Sequence, residues 1–251
     1  MTKTLFRAGH LRGLRPLSLE GVVPLAAKFD TVGPLCRSVE DASLLLALTE
    51  GSKPMDMGST DIEGRRFAIL RTVAFDDIED APATAFDDAV ARLKDAGAVI
   101  EDLSFEALHE AMPLSGCLYT AEAYGLWRDV IEANPDAMYG EILERFRLGK
   151  SHSGPDYVAA WAKIDKIRVE YLKAVAGYDA VLIPTAPLLP PKLDRLETEH
   201  DYYVSANLMT LRNTRIGNLM GLAAVTLPTG TPSCGLMLMG TPNGEEHLLR
   251  V

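Results

Sequence analysis

The chain has 251 residues, 47% of them hydrophobic, and a formal net charge of -10. The negative balance and the lack of a Lys/Arg stripe with interleaved aromatics argue against nucleic-acid binding. No apolar run approaches the ~20 residues needed to cross a bilayer, so no membrane partner is expected. The three cysteines, Cys36, Cys117 and Cys234, are too widely spaced for a zinc ribbon or a disulfide framework. We therefore expect a soluble cytoplasmic protein.

The amino-terminal segment is basic. The first 19 residues contain four cations and no acid, but no apolar stretch follows them. We therefore do not interpret this segment as a targeting peptide.

The first clear element is a helix that begins after Ser38. Ser38 precedes Asp41 by three residues, as in a capping box, and Gly51 supplies a stop. A β-α-β pattern follows: a strand over residues 67–70, a helix opened by Asp80 and Pro82, and a strand over residues 98–103. Strands joined in this way usually lie parallel with a right-handed crossover.

The second half of the chain alternates helices and short strands. Residues 114–176 have helical periodicity, including an aromatic stripe that is more typical of a core than of a cofactor site. Strands are predicted over residues 178–183, 223–227 and 235–239, and helices over 206–220 and 245–251. One α/β domain accounts for this order.

Familiar catalytic devices are absent from the sequence. There is no phosphate-binding loop, dinucleotide fingerprint, H-E-x-x-H or G-x-S-x-G motif, and the five histidines are dispersed without ligand spacing. We predict no metal and no cofactor. A cysteine nucleophile at Cys36 or Cys234 is an open alternative, although unpaired cysteines are usually structural.

Three backbone-defining segments stand in a specific order instead. Residues 29–35 read FDTVGPL, residues 183–187 read IPTAP, and residues 213–218 read NTRIGN before Gly221. With Gly13 to Pro16 (GLRP) and residues 21–42 (GVVPLAAKFDTVGPLCRSVEDA), they resemble the downstream part of an amidase-signature hydrolase. Ala223 stands where that family usually has proline, and Leu17 alone stands where the family has a longer connection.

The resemblance implies a fold and a domain division. The fold is α/β, with a mixed, largely parallel sheet covered by helices on both faces. Residues 1–12 are an atypical leader, and residues 13–251 form a partial amidase-signature domain, with both ends shorter than the family pattern.

The resemblance also implies hydrolysis of linear carboxamides by a Ser–cis-Ser–Lys triad. In the family, the triad precedes the segment that matches Gly13 to Pro16, whereas residues 1–12 contain no serine. We therefore expect no catalytic residue in this chain and no activity from it alone. The resemblance assigns substrate binding to Asp30, Thr31, Thr185 and Asn218. For each of them a purely structural role is the alternative, and for Asp30 that role is the cap of a turn.

The expected partners are a small-molecule amide substrate and either a complementing chain or further copies of the same chain. The alternative interpretation is a non-catalytic remnant or interaction protein that needs a partner to cover an apolar edge or face.

Overall fold

The computed structural model describes the backbone of residues 3–7 and the full structure of residues 19–58 and 61–251. The strands are β1 (Lys3–Arg7), β2 (Leu35–Cys36), β3 (Arg66–Leu70), β4 (Val99–Leu103), β5 (Ala180–Pro184), β6 (Ala223–Pro228) and β7 (Gly235–Met239). The α-helices are α1 (Val39–Glu50), α2 (Asp80–Asp95), α3 (Ala107–Ala111), α4 (Leu114–Ala133), α5 (Gly140–Arg147), α6 (Gly154–Val175), α7 (Leu193–Thr198), α8 (His200–Met220) and α9 (Glu245–Arg250). Single 3-10 turns, Pro135–Ala137 and Leu148–Ser151, flank α5.

The described strands form one mixed sheet in the order β2-β1-β6-β7-β5-β3-β4. β3 pairs in parallel with β4 and β5, and the other neighbouring pairs are antiparallel. Because β1 and β7 alone run against the rest, most of the described strands point the same way. The predicted mixed, largely parallel sheet is confirmed.

Helices cover both faces of this sheet because the strand residues alternate. Val181 and Ile183 pack on one face against Leu118, Ile164 and other residues of α3, α4, α6 and α8. The alternate residues of the same strands face α1, α2 and α9, where Leu182 packs with Phe86. The aromatic stripe of α6 belongs to the first of these layers, and Tyr171 is fully buried there.

Several local predictions are confirmed. The Ser38 side chain accepts a hydrogen bond from the Asp41 N–H at the start of α1, and Gly51 ends the helix with a left-handed φ of 66°. The β3-α2-β4 unit is parallel, with Phe67 opposite Ile100. β7 has the predicted bounds, Gly235–Met239.

Other elements were not predicted. α3, α7 and β2 are only five, six and two residues long, and such short segments have no readable period. β1 lies inside the segment that we interpreted as a leader, and it pairs with β6 from Thr4 opposite Thr226. None of the helices in the described part of the chain is long and apolar enough to cross a membrane.

Candidate functional site

The loop over residues 24–34 packs against aromatic side chains of α4 and α6. The buried Phe29 ring stacks on Tyr119 at 4.2 Å and on Trp161 at 5.1 Å. Trp127 Nε1 donates a hydrogen bond of 2.6 Å to the Pro24 carbonyl oxygen, which ties the start of the loop to α4. These contacts join the loop to residues about a hundred positions later in the chain.

Asp30 organises this loop from within. Its carboxylate accepts the Leu25 N–H at 2.9 Å and the Ala26 N–H at 3.1 Å. The Asp30 N–H in turn donates to the Ala26 carbonyl oxygen at 2.8 Å. The side chain therefore has the turn-capping geometry that the sequence left open as its alternative role. Thr31 is half-exposed beside it and makes no hydrogen bond within the described residues. Substrate contact by Asp30 or Thr31 stays a prediction.

Asn218, near the end of α8, lies beside the Tyr119 hydroxyl. Burial is the main cause that raises the pKa of Tyr119 to about 12, while the nearby Asn218 amide and the Arg215 and Arg168 guanidinium groups oppose the rise. The phenol is therefore protonated at neutral pH. Its oxygen is buried and has no hydrogen-bond partner of normal geometry among the described residues. Tyr119 was not predicted from the sequence, because nothing in a helical stripe distinguishes a pocket tyrosine from a core tyrosine.

Arg168 of α6 lies between Trp161 and the end of α8 and influences the Tyr119 hydroxyl electrostatically. Its Nε donates a hydrogen bond of 2.7 Å to the Leu219 carbonyl oxygen, and its guanidinium carbon lies 5.3 Å from the centroid of Trp161. A Cβ on Gly221 would lie 3.5 Å from that guanidinium, an ordinary contact distance, so Arg168 does not itself require glycine there. The glycine at residue 221 is explained by its positive φ of 71°, a conformation that other side chains rarely adopt.

Thr185 lies directly after the last residue of β5. Its N–H donates to the Gly235 carbonyl oxygen at 2.8 Å, and its hydroxyl lies 3.3 Å from the Thr226 hydroxyl. A Cβ on Gly235 would lie 2.7 Å from the Thr185 hydroxyl oxygen, so the tight packing requires glycine. Asp30 and Asn218 both influence the Tyr119 hydroxyl electrostatically, and Thr185 makes no hydrogen bond to any of these three among the described residues.

Asn213 joins α8 to the residue just before Thr185. This fully buried residue of α8 donates from Nδ2 to the Ala74 carbonyl oxygen at 3.0 Å and to the Pro184 carbonyl oxygen at 2.7 Å. It holds α8 against the residue before Thr185 and against the turn after β3, where Val73 has an unfavourable φ of 66°. Asn213 stands in the NTRIGN segment, but no local pattern separates it from its neighbours.

A surface cavity of about 340 Å³ lies away from this loop, between α2 and the edge strand β4. Its lining includes Arg71, Asp87, Lys94 and Asp102, and Arg71 pairs with Asp102 at 2.8 Å. None of the four predicted substrate residues lines it. We assign it no role in the chemistry.

The cysteines do not have the environment of nucleophiles. Burial, and secondarily the charge of Asp41, raises the pKa of the Cys36 thiol, and burial raises the pKa of Cys234. An activated cysteine has a lowered pKa, so the geometry disfavours a cysteine hydrolase. Within the described residues, no group of three or more His, Cys, Asp or Glu side chains is placed to hold a metal ion.

Comparison with known proteins places this architecture. The amidase family model matches residues 9–249, which is nearly the whole chain. The chain belongs to the amidase family. The 2-amino-5-chloromuconic acid deaminase of Comamonas testosteroni is 30% identical over 93% of this chain and 52% of its own length. A glutamyl-tRNA(Gln) amidotransferase subunit from Geobacter metallireducens is 26% identical over 95% of this chain and 58% of its own length.

A solved amidase structure has the same fold. It superposes with a TM-score of 0.82 at 23% identity, and the match covers 99% of this chain and 56% of the solved chain. The chain therefore spans about half the length of the relatives that it matches.

Proposed function

We propose that this chain supplies the substrate-facing part of an amidase active site that hydrolyses the C–N bond of small linear carboxamides. The observation that supports the proposal best is the amidase family match over residues 9–249. The loop over residues 24–34 packs against α4 and α6, beside the end of α8, and so provides a wall on which an amide could be positioned.

In this proposal, the serine nucleophile and its base are not residues of the 251-residue chain. Amide hydrolysis by a serine nucleophile needs a base to accept its proton and donors to hold the oxyanion. Among the described residues, no serine is paired with a lysine in the loop that contains Asp30 or beside Asn218. The chain matches only about half of its relatives, and the remaining part of the family fold is the natural source of a Ser–cis-Ser–Lys triad. That part would belong to the same polypeptide or to a complementing chain in the cytoplasm.

An exposed apolar surface supports this need for a complement. Val23, Leu35 and Leu48 are 76%, 70% and 76% exposed, and Val22, Leu25 and Leu44 are also exposed in the same part of the chain. Leu35 lies in β2, the edge strand of the described sheet, and Leu44 and Leu48 lie on α1, which packs beside it. Exposed apolar residues beside an unpaired strand edge favour coverage by further protein. We assign this surface to the part of the amidase fold that the chain does not match.

The test is ammonia release from a panel of linear carboxamides. The chain is assayed alone and after expression together with about 200 codons of the preceding reading frame, the size of a missing half-domain. We expect hydrolysis only from the longer protein, with loss of activity on treatment with a serine-directed sulfonyl fluoride. Hydrolysis by the 251-residue chain alone would refute the need for a complementing part of the fold. An inactive longer protein would refute the assignment as a hydrolase.

The second candidate function is a non-catalytic subunit that binds a partner through the same apolar surface. The Geobacter relative is named as one subunit of an amidotransferase, and this name motivates the alternative. Sedimentation at several protein concentrations separates the outcomes. A concentration-independent monomer that gains activity in no combination would count against both candidates.

A further inference from the structure

The last strand of the described sheet, β4, pairs with β3 alone and has one open edge. The Val99 N–H donates to the backbone carbonyl just before β3 at 2.8 Å, and the Leu103 carbonyl oxygen accepts the backbone N–H just after β3 at 2.9 Å. Backbone groups alternate in direction along a strand, so the N–H and C=O groups of Ile100 and Asp102 point away from β3. Such groups are a template for a further strand.

The acidic side chains of β4 do not defend this edge, because each is paired within the molecule. Glu101 accepts a hydrogen bond from the Tyr178 hydroxyl at 2.8 Å and lies 3.4 Å from Arg66 Nη2. Asp102 pairs with Arg71 Nε at 2.8 Å. Unpaired charges on an edge strand would repel another strand, whereas these are already neutralised.

The cavity of about 340 Å³ between α2 and β4 lies beside the open edge. Its apolar lining includes Ile69, Val90 and Ile100. α2 packs mainly over β5 and β7, which leaves Ile100 partly exposed. A strand added to β4 would place every second side chain on the α2 side of the sheet. The cavity is therefore positioned to receive one side chain of such a strand.

Two charged side chains of α2 lie at opposite ends of this cavity. Asp87 and Lys94 are exposed, and neither forms an ion pair among the described residues. They are seven residues apart, which is about 10 Å along a helix axis. α2 ends at Asp95 and β4 begins at Val99, so the helix runs antiparallel to the strand. Lys94 therefore lies towards the start of β4, and Asp87 lies towards its end, near Asp102.

We propose that the edge of β4 and this cavity bind an extended segment of a partner protein, which pairs antiparallel with β4 and inserts an apolar side chain beside α2. Antiparallel pairing is slightly more stable per residue than parallel pairing. A basic residue two positions before the apolar one then faces Asp87 and Asp102, and an acidic residue two positions after it faces Lys94. The bound segment reads basic-x-apolar-x-acidic. Strand addition of this kind is a general mode of peptide recognition.

A second copy of the same strand does not fit this pattern. Two copies of β4 paired antiparallel with Ile100 opposite Asp102 would set the two Glu101 side chains directly opposite each other. Like charges at that position are destabilising. The surface is also distinct from the apolar residues around β2, because β2 and β4 lie at opposite ends of the described sheet.

The experiment measures binding of designed peptides to the 251-residue chain by fluorescence anisotropy. The labelled probe is TKTITET, and the control TETITKT has the same composition with its two charges exchanged. We expect saturable binding of TKTITET and about five- to tenfold weaker binding of TETITKT, since exposed ion pairs contribute modestly. N-methylation of the isoleucine, whose N–H would face β4, should weaken binding about tenfold or more. N-methylation of the threonine that follows it, whose N–H would point to solvent, should not.

Variants of α2 connect the binding to the named residues. Asp87→Lys combined with Lys94→Asp exchanges the two charges of the helix and should reverse the preference in favour of TETITKT. Ala91→Trp fills the cavity from the exposed side of the helix and should abolish binding. Asp88→Lys, at an exposed position outside the cavity lining, is the matched control and should keep the preference for TKTITET.

Amide hydrogen exchange measured by NMR separates strand addition from contact through side chains alone. The Ile100 and Asp102 N–H groups should exchange more slowly when TKTITET is bound. No saturable binding of TKTITET, equal affinity for the two peptides, or unchanged exchange at both N–H groups would overturn the proposal. An unchanged peptide preference in the charge-exchanged variant would overturn it as well. Ammonia release is measured separately, so this proposal and the assignment as a hydrolase fail independently.

Discussion

Replacement of Asn213 probes the contact that joins α8 to the sheet. The side chain is fully buried, and its amide donates to the Ala74 and Pro184 carbonyl oxygens. Ala74 keeps a second donor, Arg212 Nη2 at 3.1 Å, so Asn213→Ala deprives mainly Pro184 of a side-chain donor and leaves a small cavity. One under-satisfied carbonyl plus that cavity should lower the free energy of unfolding by about 2–4 kcal/mol.

Asn213→Asp sharpens the test because it keeps the shape of the side chain. It replaces the donating NH₂ group by a carboxylate oxygen that faces two carbonyl oxygens. The buried carboxyl would have a raised pKa in the folded protein, so the folded state binds more protons than the unfolded state, and stability should rise as the pH falls. The Asn213→Ala variant should show no such extra pH dependence.

The assay is urea unfolding followed by circular dichroism at neutral pH and at mildly acidic pH. Asn207→Ala is the control on the same helix, because Asn207 is half-buried and accepts one hydrogen bond from Arg145. It should cost less than Asn213→Ala, because the Arg145 guanidinium is partly exposed and can be hydrated when Asn207 is removed. If Asn213→Ala costs no more than the control, or if the Asp variant tracks the Ala variant at every pH, the assigned hydrogen bonds do not stabilise the fold as argued.

Three further predictions concern other parts of the chain. Gly149→Ala should destabilise the protein by about 1–3 kcal/mol or more in thermal unfolding, because the new Cβ would lie 2.2 Å from the Thr120 carbonyl oxygen. Gly125→Ala in α4, where a Cβ would meet no neighbouring atom within 4 Å, should be neutral or stabilising, and equal effects of the two substitutions would refute the clash. Hydrogen bonds from its arginine and lysine partners lower the pKa of Glu132 from 4.5 to about 2, so the stability that Glu132 contributes is present above pH 4.5 and is lost as the pH falls towards 2. The difference in unfolding free energy between wild type and Glu132→Gln should therefore shrink over that pH range, and a constant difference would contradict the argument. Cys36 should react with iodoacetamide far more slowly in the native protein than in urea, because the thiol is buried and its pKa is raised, whereas rapid native labelling would reopen a cysteine mechanism.

Local signals in the sequence were sufficient for the elements that carry their own stop and start residues. The cap of α1 at Ser38 and Gly51 depends on hydrogen bonds within three or four residues, so it is written in the local sequence. The β3-α2-β4 unit likewise has its period and its turn residues in one continuous stretch. The order of the FDTVGPL, IPTAP and NTRIGN segments was enough to identify the family.

The candidate site was only partly readable for a physical reason. Asp30 and Asn218 stand in recognisable segments, whereas Tyr119 lies beside Asn218 only because the fold brings α4 and α8 together across about a hundred residues of sequence. The pairing of β1 with β6 and the two-residue strand β2 are similar cases, since a short strand exists only through its neighbours. The sequence by itself thus determined the family, the α/β class and the locally capped elements. Tertiary packing alone decided which distant side chains meet at the candidate site, as Phe29 meets Tyr119, because burial and distance are properties of the folded chain.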